Sequence, residues 1–156
     1  MKEDHGKISM TELAVVVAVE AHLGKNDKGG YPYLLHPLFV LAHMDTEDEI
    51  QTAALHDVVE DTDYTLDDLR EYGFSETVIQ AVDAITKREG EPYKKYIKRV
   101  EENPIAKKVK IWDIKHNLDI TRLPKKIKDK DVERFYRYRW ALARLTKNPK
   151  PTADGY

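Results

Sequence analysis

The sequence contains no cysteine, which excludes disulfides, thiolate-bound zinc and iron–sulfur clusters. Any metal must therefore be held by histidine, aspartate or glutamate side chains. Long apolar runs are also missing: the longest covers residues 13–19, far short of the roughly 20 residues that a membrane-spanning helix needs. The first ten residues lack the apolar segment of a secretory signal. We therefore expect a cytoplasmic protein with no membrane partner.

The chain also lacks a large excess of charge of one sign. Its 156 residues include 26 basic and 28 acidic ones, for a net charge of -2, which argues against binding of a nucleic-acid polymer through overall charge. Acidic residues concentrate in 45–68 and basic ones in 94–110 and 125–150. This distribution suits an anionic ligand bridged by a metal, although solvated helix faces explain most individual lysines.

Alternation typical of strands is absent, and apolar residues recur instead at the spacing of helices. The first helix is predicted from an N-cap at Thr11 to a stop at Gly24. Pro37 suits the first turn of a second helix, which places His36 at that helix's start. A third helix is predicted to begin within residues 45–48 and to continue through Val59.

Later helices are marked by caps and prolines. They are predicted to start at Thr65, Ser75, Pro92 and Pro104, with a chain break at Pro124 and a last helix over 131–145. We expect one all-α domain over residues 1–156, with its core in about 9–145 and a frayed tail over 147–156.

The strongest chemical signal is a set of four ionisable side chains in an otherwise apolar helix, within the sequence Leu55-His56-Asp57-Val58-Val59-Glu60-Asp61-Thr62. At about 3.6 residues per turn, His56 lies above Glu60 on one face, and Asp57 lies above Asp61 on the adjacent face. All four side chains can therefore address one cleft. An adjacent histidine and aspartate can share one ion only if other helices supply further ligands.

His36 and Asp113 are the candidates for those further ligands, and Asn117 follows Asp113 by one helical turn. Two imidazoles and two carboxylates make a mixed nitrogen and oxygen site, which suits manganese, iron or zinc without distinguishing among them. The remaining candidates are weaker: His22 is expected in the core or beside the ligands, and His116 is expected to pack next to Asn117.

Each of these residues also has an ordinary structural explanation. His36 could cap a helix, Asp113 could be the buried partner of Lys110 or Lys115, and residues 60–63 could simply end a helix. These explanations do not predict that all of the residues occur together, whereas a shared metal site does.

The order His36, then His56-Asp57, then Asp113 resembles that of the HD phosphohydrolase superfamily. The flanking segments narrow the resemblance to the hydrolase domain of RelA/SpoT proteins and to the stand-alone small alarmone hydrolases. These segments are residues 21–24, 30–37, 55–62 and 109–118. The resemblance spans roughly residues 9–145 and implies a compact multi-helix HD-domain bundle. The length of the chain matches the stand-alone type, so we expect no synthetase or regulatory domain.

The resemblance implies a manganese-dependent enzyme of the stringent response, which removes the 3′-pyrophosphate from guanosine tetra- or pentaphosphate and releases GDP or GTP. Fe²⁺, Zn²⁺ and Co²⁺ are alternatives to Mn²⁺. Carried over by position, the metal ligands are His36, His56, Asp57 and Asp113, and the residues that activate water are Glu60 and Asp61. The implied nucleotide contacts are Lys28, Asn117, Arg134 and Tyr138.

One position departs from the family pattern. Relatives usually place an arginine, which packs on the guanine, directly before the lysine of the first loop, whereas this chain has Asp27 before Lys28. An acidic side chain cannot offer a cation to a base or a phosphate, so either guanine recognition or the substrate differs here.

Two other functions stay open for this reason. The chain could be an HD phosphohydrolase that acts on a different nucleotide or phosphomonoester, or a non-catalytic module that senses a nucleotide. The Glu60-Asp61 pair argues against a pure sensor, which has little need of a proton-transfer pair. The expected partner is a small-molecule nucleotide, and a homo-oligomer is left open.

Overall fold

The computed structural model describes residues 7–123 and 125–147. Within these ranges the chain is helical and has no strand, and Asn26 and Pro32 form an isolated antiparallel bridge. The helices are α1 (Met10–His22), α2 (Leu35–Leu41), α3 (Glu47–Leu55), α4 (Val58–Asp61), α5 (Leu66–Glu71), α6 (Glu76–Ile85), α7 (Tyr93–Glu102), α8 (Pro104–Asn117) and α9 (Asp129–Leu145). The prediction of an all-α fold is confirmed. The predicted break at Pro124 and residues 148–156 of the predicted tail lie outside the described residues.

Side-chain caps start several helices where the sequence predicted them. Thr65 and Ser75 accept hydrogen bonds from the first turns of α5 and α6. The predicted cap at Thr11 is wrong, because Ser9 and Glu12 form a reciprocal capping box that starts α1 at Met10. The last helix, α9, begins two residues before its predicted start.

The predicted third helix is two helices, α3 and α4, with His56 and Asp57 in the turn between them. His56 Nδ1 lies 2.7 Å from the Ala53 carbonyl oxygen and donates to it. A continuing helix would offer that carbonyl to a backbone N–H. The prediction of one helix through Val59 is therefore wrong, and the faces assigned to its ionisable residues no longer follow from helical periodicity.

Helix α3 lies at the centre of the fold and packs against α1, α2, α6 and α8. It contributes to two apolar clusters. Ala54 and Leu55 pack with residues of α1, α5 and α6, whereas Ala53 packs with residues of α2, α7, α8 and α9. All three residues are fully buried. This packing brings together the start of α2, the turn after α3 and the middle of α8. No helix in the described part of the chain is long and apolar enough to cross a membrane.

Candidate active site

The four predicted metal ligands converge where α2, the turn after α3 and α8 meet. His56 Nε2 lies 3.2 Å from His36 Nε2 and 3.0 Å from Asp57 Oδ2. His36 Nε2 lies 2.9 Å from Asp113 Oδ1 and 3.7 Å from Asp57 Oδ2. The candidate ligand atoms of His36, His56 and Asp57 all lie within 4.8 Å of one another. Such a set of nitrogen and oxygen donors suits a divalent metal ion.

The close approach of these groups governs their ionisation. Burial alone would lower the pKa of His56, but the charge of Asp57 and the hydrogen bond to Asp113 raise it well above its ordinary value. Burial would raise the pKa of Asp57, but the charge and hydrogen bond of His56 lower it. The pKa of Asp113 is held well below its ordinary value against burial by Lys110 and by its histidine hydrogen bonds. Both carboxylates therefore stay ionised and attract positive charge, from protonated imidazoles or from a metal cation.

Hydrogen bonds at Nδ1 orient both imidazoles. The bond from His56 Nδ1 to Ala53 leaves Nε2 as the ligand atom. His36 Nδ1 lies 2.7 Å from His116 Nδ1. Burial, together with the charges of His36 and Arg122, lowers the pKa of His116 to about 4. Neutral His116 can therefore accept the proton of His36, a role beyond the packing that the sequence predicted.

Asp113 joins the metal centre to its own helix. Its Oδ1 accepts from Asn117 Nδ2 at 2.8 Å, and its Oδ2 accepts from Lys110 Nζ at 2.7 Å. Burial would lower the pKa of Lys110, but the charge of Asp113 raises it well above its ordinary value. The pairing of Asp113 with Lys110 is thus present alongside its contacts with the histidines, while Lys115 lies over the Trp112 ring instead.

Glu60 and Asp61 lie in α4, directly after the turn that carries two ligands. Desolvation raises the pKa of Glu60, whose Oε1 accepts from the Lys87 backbone N–H at 2.7 Å. Desolvation and the charge of Asp57 raise the pKa of Asp61. A raised pKa brings a carboxylate nearer to the value that suits a proton acceptor at neutral pH. The hydroxyl of Tyr33, a residue that the sequence did not single out for the site, donates to Asp57 Oδ2.

A cavity of about 320 Å³ adjoins the metal centre at His36. The lining residues are Asn26, Asp27, Lys28, Tyr33, His36, Asn117, Arg122, Leu123, Arg134 and Tyr138. The structure thus brings all four predicted nucleotide contacts to one cavity, although their roles remain predictions. Arg134 Nη2 lies 2.9 Å from Asp131 Oδ1, and Lys28 Nζ lies 3.8 Å from the same oxygen.

The side chain of Asp27, the residue that departs from the family pattern, is hydrogen-bonded to other residues of the chain. Its Oδ1 accepts from the backbone N–H groups of Gly29 and Tyr31, and its Oδ2 lies 3.2 Å from Arg122 Nη2. Arg122, which ends the 3₁₀ segment Ile120–Arg122, was not predicted from the sequence as a site residue. That segment has neither helical periodicity nor a motif that would have marked it.

His22 lies beside a second cavity. The His22 ring is buried, and neither of its nitrogens has a hydrogen-bond partner among the described residues. It lines a cavity of about 450 Å³ together with Lys25, Asn26, Tyr33 and Asp61. The expectation that His22 lies in the core or beside the ligands agrees with this position.

Three bacterial relatives align with half or more of the chain. A GTP pyrophosphokinase of Streptomyces coelicolor is 32% identical over 146 residues, or 85% of this chain. A probable GTP pyrophosphokinase of Mycobacterium leprae is 35% identical over 128 residues, or 74% of this chain. A guanosine-3′,5′-bis(diphosphate) 3′-pyrophosphohydrolase of Vibrio cholerae is 40% identical over 85 residues, or 52% of this chain. The chain spans only 17%, 16% and 12% of these relatives. No family model matches the chain.

A solved structure has a similar fold. It is described as a metazoan ortholog of SpoT that hydrolyses ppGpp, and it superposes with a TM-score of 0.73 over 94% of this chain and 90% of that one. The two sequences are 20% identical, so this likeness supports the helical architecture alone.

Proposed function

We propose that this chain belongs to the RelA/SpoT-type hydrolase domains, which its alignment with a named 3′-pyrophosphohydrolase supports. As such, it is a cytoplasmic, metal-dependent enzyme that removes the 3′-pyrophosphate from guanosine tetra- or pentaphosphate. The products are GDP or GTP and pyrophosphate. One observation carries the proposal: two imidazoles and two carboxylates meet beside a cavity that also contains lysine and arginine side chains.

The donor set fits a divalent cation, with His36, His56, Asp57 and Asp113 as its ligands. Mn²⁺ is the proposed ion, and Fe²⁺, Zn²⁺ and Co²⁺ compete with it because they accept the same donors. When bound, the cation supplies positive charge to the phosphate and a water whose pKa is lowered from near 16 towards roughly 7 to 9.

The residues of the chain supply the proton transfer and the positioning. Glu60, held by the Lys87 backbone N–H, accepts the proton of the attacking water, and Asp61 relays it. The water oxygen bonds to the 3′-phosphorus, the bond from that phosphorus to the ribose 3′-oxygen breaks, and the 3′-oxygen takes up a proton. Lys28 and Arg134 neutralise the phosphate charge.

The test is to incubate the Mn²⁺-loaded protein with guanosine tetraphosphate and to separate the products by anion exchange. We expect GDP and pyrophosphate from the wild type and no product from Asp57→Ala. A panel of other nucleotides and phosphomonoesters is run alongside. Cleavage of another compound but not of guanosine tetraphosphate would change the assigned substrate and would still support metal-dependent hydrolysis of a phosphoester. Cleavage of none would contradict the enzyme and favour a nucleotide-sensing module.

A further inference from the structure

The Arg122 side chain is fixed at the edge of the nucleotide cavity by two hydrogen bonds. Nη1 donates to the His116 backbone carbonyl at 3.0 Å, and Nη2 donates to Asp27 Oδ2 at 3.2 Å. The side chain is 23% exposed and lines the cavity beside Leu123. A guanidinium carries five N–H donors, so these two bonds leave donors for a ligand in the cavity.

The three cations of the cavity differ in how their charge is balanced. Arg122 has the Asp27 carboxylate as its own partner, so this pair is close to neutral. Lys28 and Arg134 share the single carboxylate of Asp131, which leaves them about one net positive charge. Phosphate groups are attracted to net charge, whereas a neutral, polar heterocycle is recognised by donor geometry.

From this division we infer that Arg122, positioned by Asp27, is the residue that reads the base of the nucleotide and selects a 6-oxopurine such as guanine. This inference deepens the proposed function and rests on it for the presence of a nucleotide in the cavity. Lys28 and Arg134, which line the same cavity, are then left to bind the phosphates.

The selectivity follows from the edge that each purine presents. Guanine offers two adjacent acceptors, O6 and N7, to the two parallel donors of an arginine, and adenine replaces O6 with an amino donor. A guanidinium held in one orientation therefore gains two hydrogen bonds from guanine and meets a donor on adenine. Asp27 is the positioning residue. Its Oδ2 fixes the Arg122 guanidinium, and its Oδ1 orders the loop through the backbone N–H groups of Gly29 and Tyr31.

The experiment measures equilibrium binding of GDP, ADP and pyrophosphate to the Mn²⁺-loaded full chain by titration calorimetry. Arg122→Gln removes the cation, and Arg122→Lys keeps the charge without the planar fork. Asp27→Asn retains the Oδ1 acceptor for the loop but replaces the oxygen that faces Arg122 with a donor. Arg139→Gln is the matched control, because Arg139 is exposed and lines a different cavity. Equal manganese content and equal thermal midpoints establish that each variant is folded.

We expect the wild type to prefer GDP over ADP, and Arg122→Gln to lower the GDP affinity by about 5- to 150-fold, the range of a bidentate base contact. Affinities for ADP and pyrophosphate should change by no more than about twofold. Arg122→Lys should lose the preference as well, Asp27→Asn should reduce it, and Arg139→Gln should preserve it.

Three results would overturn the inference: an unchanged GDP preference in Arg122→Gln, an equal loss for GDP, ADP and pyrophosphate, or a wild type that binds GDP and ADP alike or binds neither. The second result would make Arg122 a phosphate contact. Hydrolysis is scored separately. Arg122-dependent GDP preference without cleavage of guanosine tetraphosphate would refute the proposed function alone, and cleavage without that preference would refute this inference alone.

Discussion

Replacing Lys110 with methionine removes the charge that balances Asp113 and keeps most of the apolar stem. Lys110 Nζ lies 2.7 Å from Asp113 Oδ2, and the two side chains are 12% and 5% exposed. At an effective dielectric constant of 20, the Coulomb attraction at that distance is about 6 kcal/mol. Removing one partner of a buried pair costs about 3–5 kcal/mol net. Because Asp113 keeps hydrogen bonds from His36 and Asn117, we expect a loss near the lower end, about 3 kcal/mol.

Urea unfolding followed by circular dichroism measures this loss, in EDTA and again with Mn²⁺. The cation restores positive charge beside Asp113, so Mn²⁺ should stabilise Lys110→Met more than it stabilises the wild type. Lys115→Met is the matched control on the same helix. Its exposed ammonium lies 4.3 Å from the Trp112 ring centroid, a contact that contributes about 0.5–1 kcal/mol. A loss below about 1 kcal/mol in EDTA, or equal stabilisation by Mn²⁺, would refute the reasoning.

Three further substitutions test the surroundings of the site. His116→Phe removes the acceptor of the His36 Nδ1 proton, so the affinity for Mn²⁺ measured by calorimetry should fall about 10- to 100-fold. An unchanged affinity would contradict the role of His116 in orienting His36. His22→Phe replaces a buried imidazole that has no partner among the described residues and should raise the free energy of unfolding by about 1 kcal/mol; a decrease would argue against this account. In Glu91, burial opposes ionisation but the hydrogen bond from Arg99 lowers the pKa, so its stabilisation is present above the unfolded pKa and disappears as the pH falls through the folded one. Glu91→Gln should therefore lower the free energy of unfolding by about 1 kcal/mol at neutral pH and leave it unchanged in strong acid. Urea unfolding of the variant and the wild type at both pH values measures the difference. A loss independent of pH would contradict the linkage between ionisation and stability.

The starts of α5 and α6 were predictable because their signals are local. Thr65 and Ser75 each bond the first turn of the helix that they precede, so three or four adjacent residues contain the information. The end of α3 was not predictable in this way. Apolar periodicity continues through Val58 and Val59, whereas α3 ends where the His56 ring hydrogen-bonds to the Ala53 carbonyl. A pattern of apolar residues does not show such a side-chain contact.

For the site, the predicted ligands were found by residue type and order, whereas their supports depend on the tertiary fold. Asp27 and Arg122 are 95 positions apart in the sequence, and Tyr33 reaches Asp57 from a different loop. The acidic residue at position 27 is visible in the sequence, but its pairing with Arg122 is created by the fold. Contacts of this kind can be predicted only after the positions of the helices are known.

The most direct test of the metal-centred account is to measure bound manganese and turnover of guanosine tetraphosphate in the same samples of wild type, Asp57→Ala and Glu60→Gln. We expect about one Mn²⁺ per chain and turnover in the wild type, and neither in Asp57→Ala. Glu60→Gln should keep the metal and lose about 10²- to 10⁴-fold in rate, because it loses only the proton acceptor. Metal-dependent turnover retained in Asp57→Ala, or full turnover in Glu60→Gln, would contradict it.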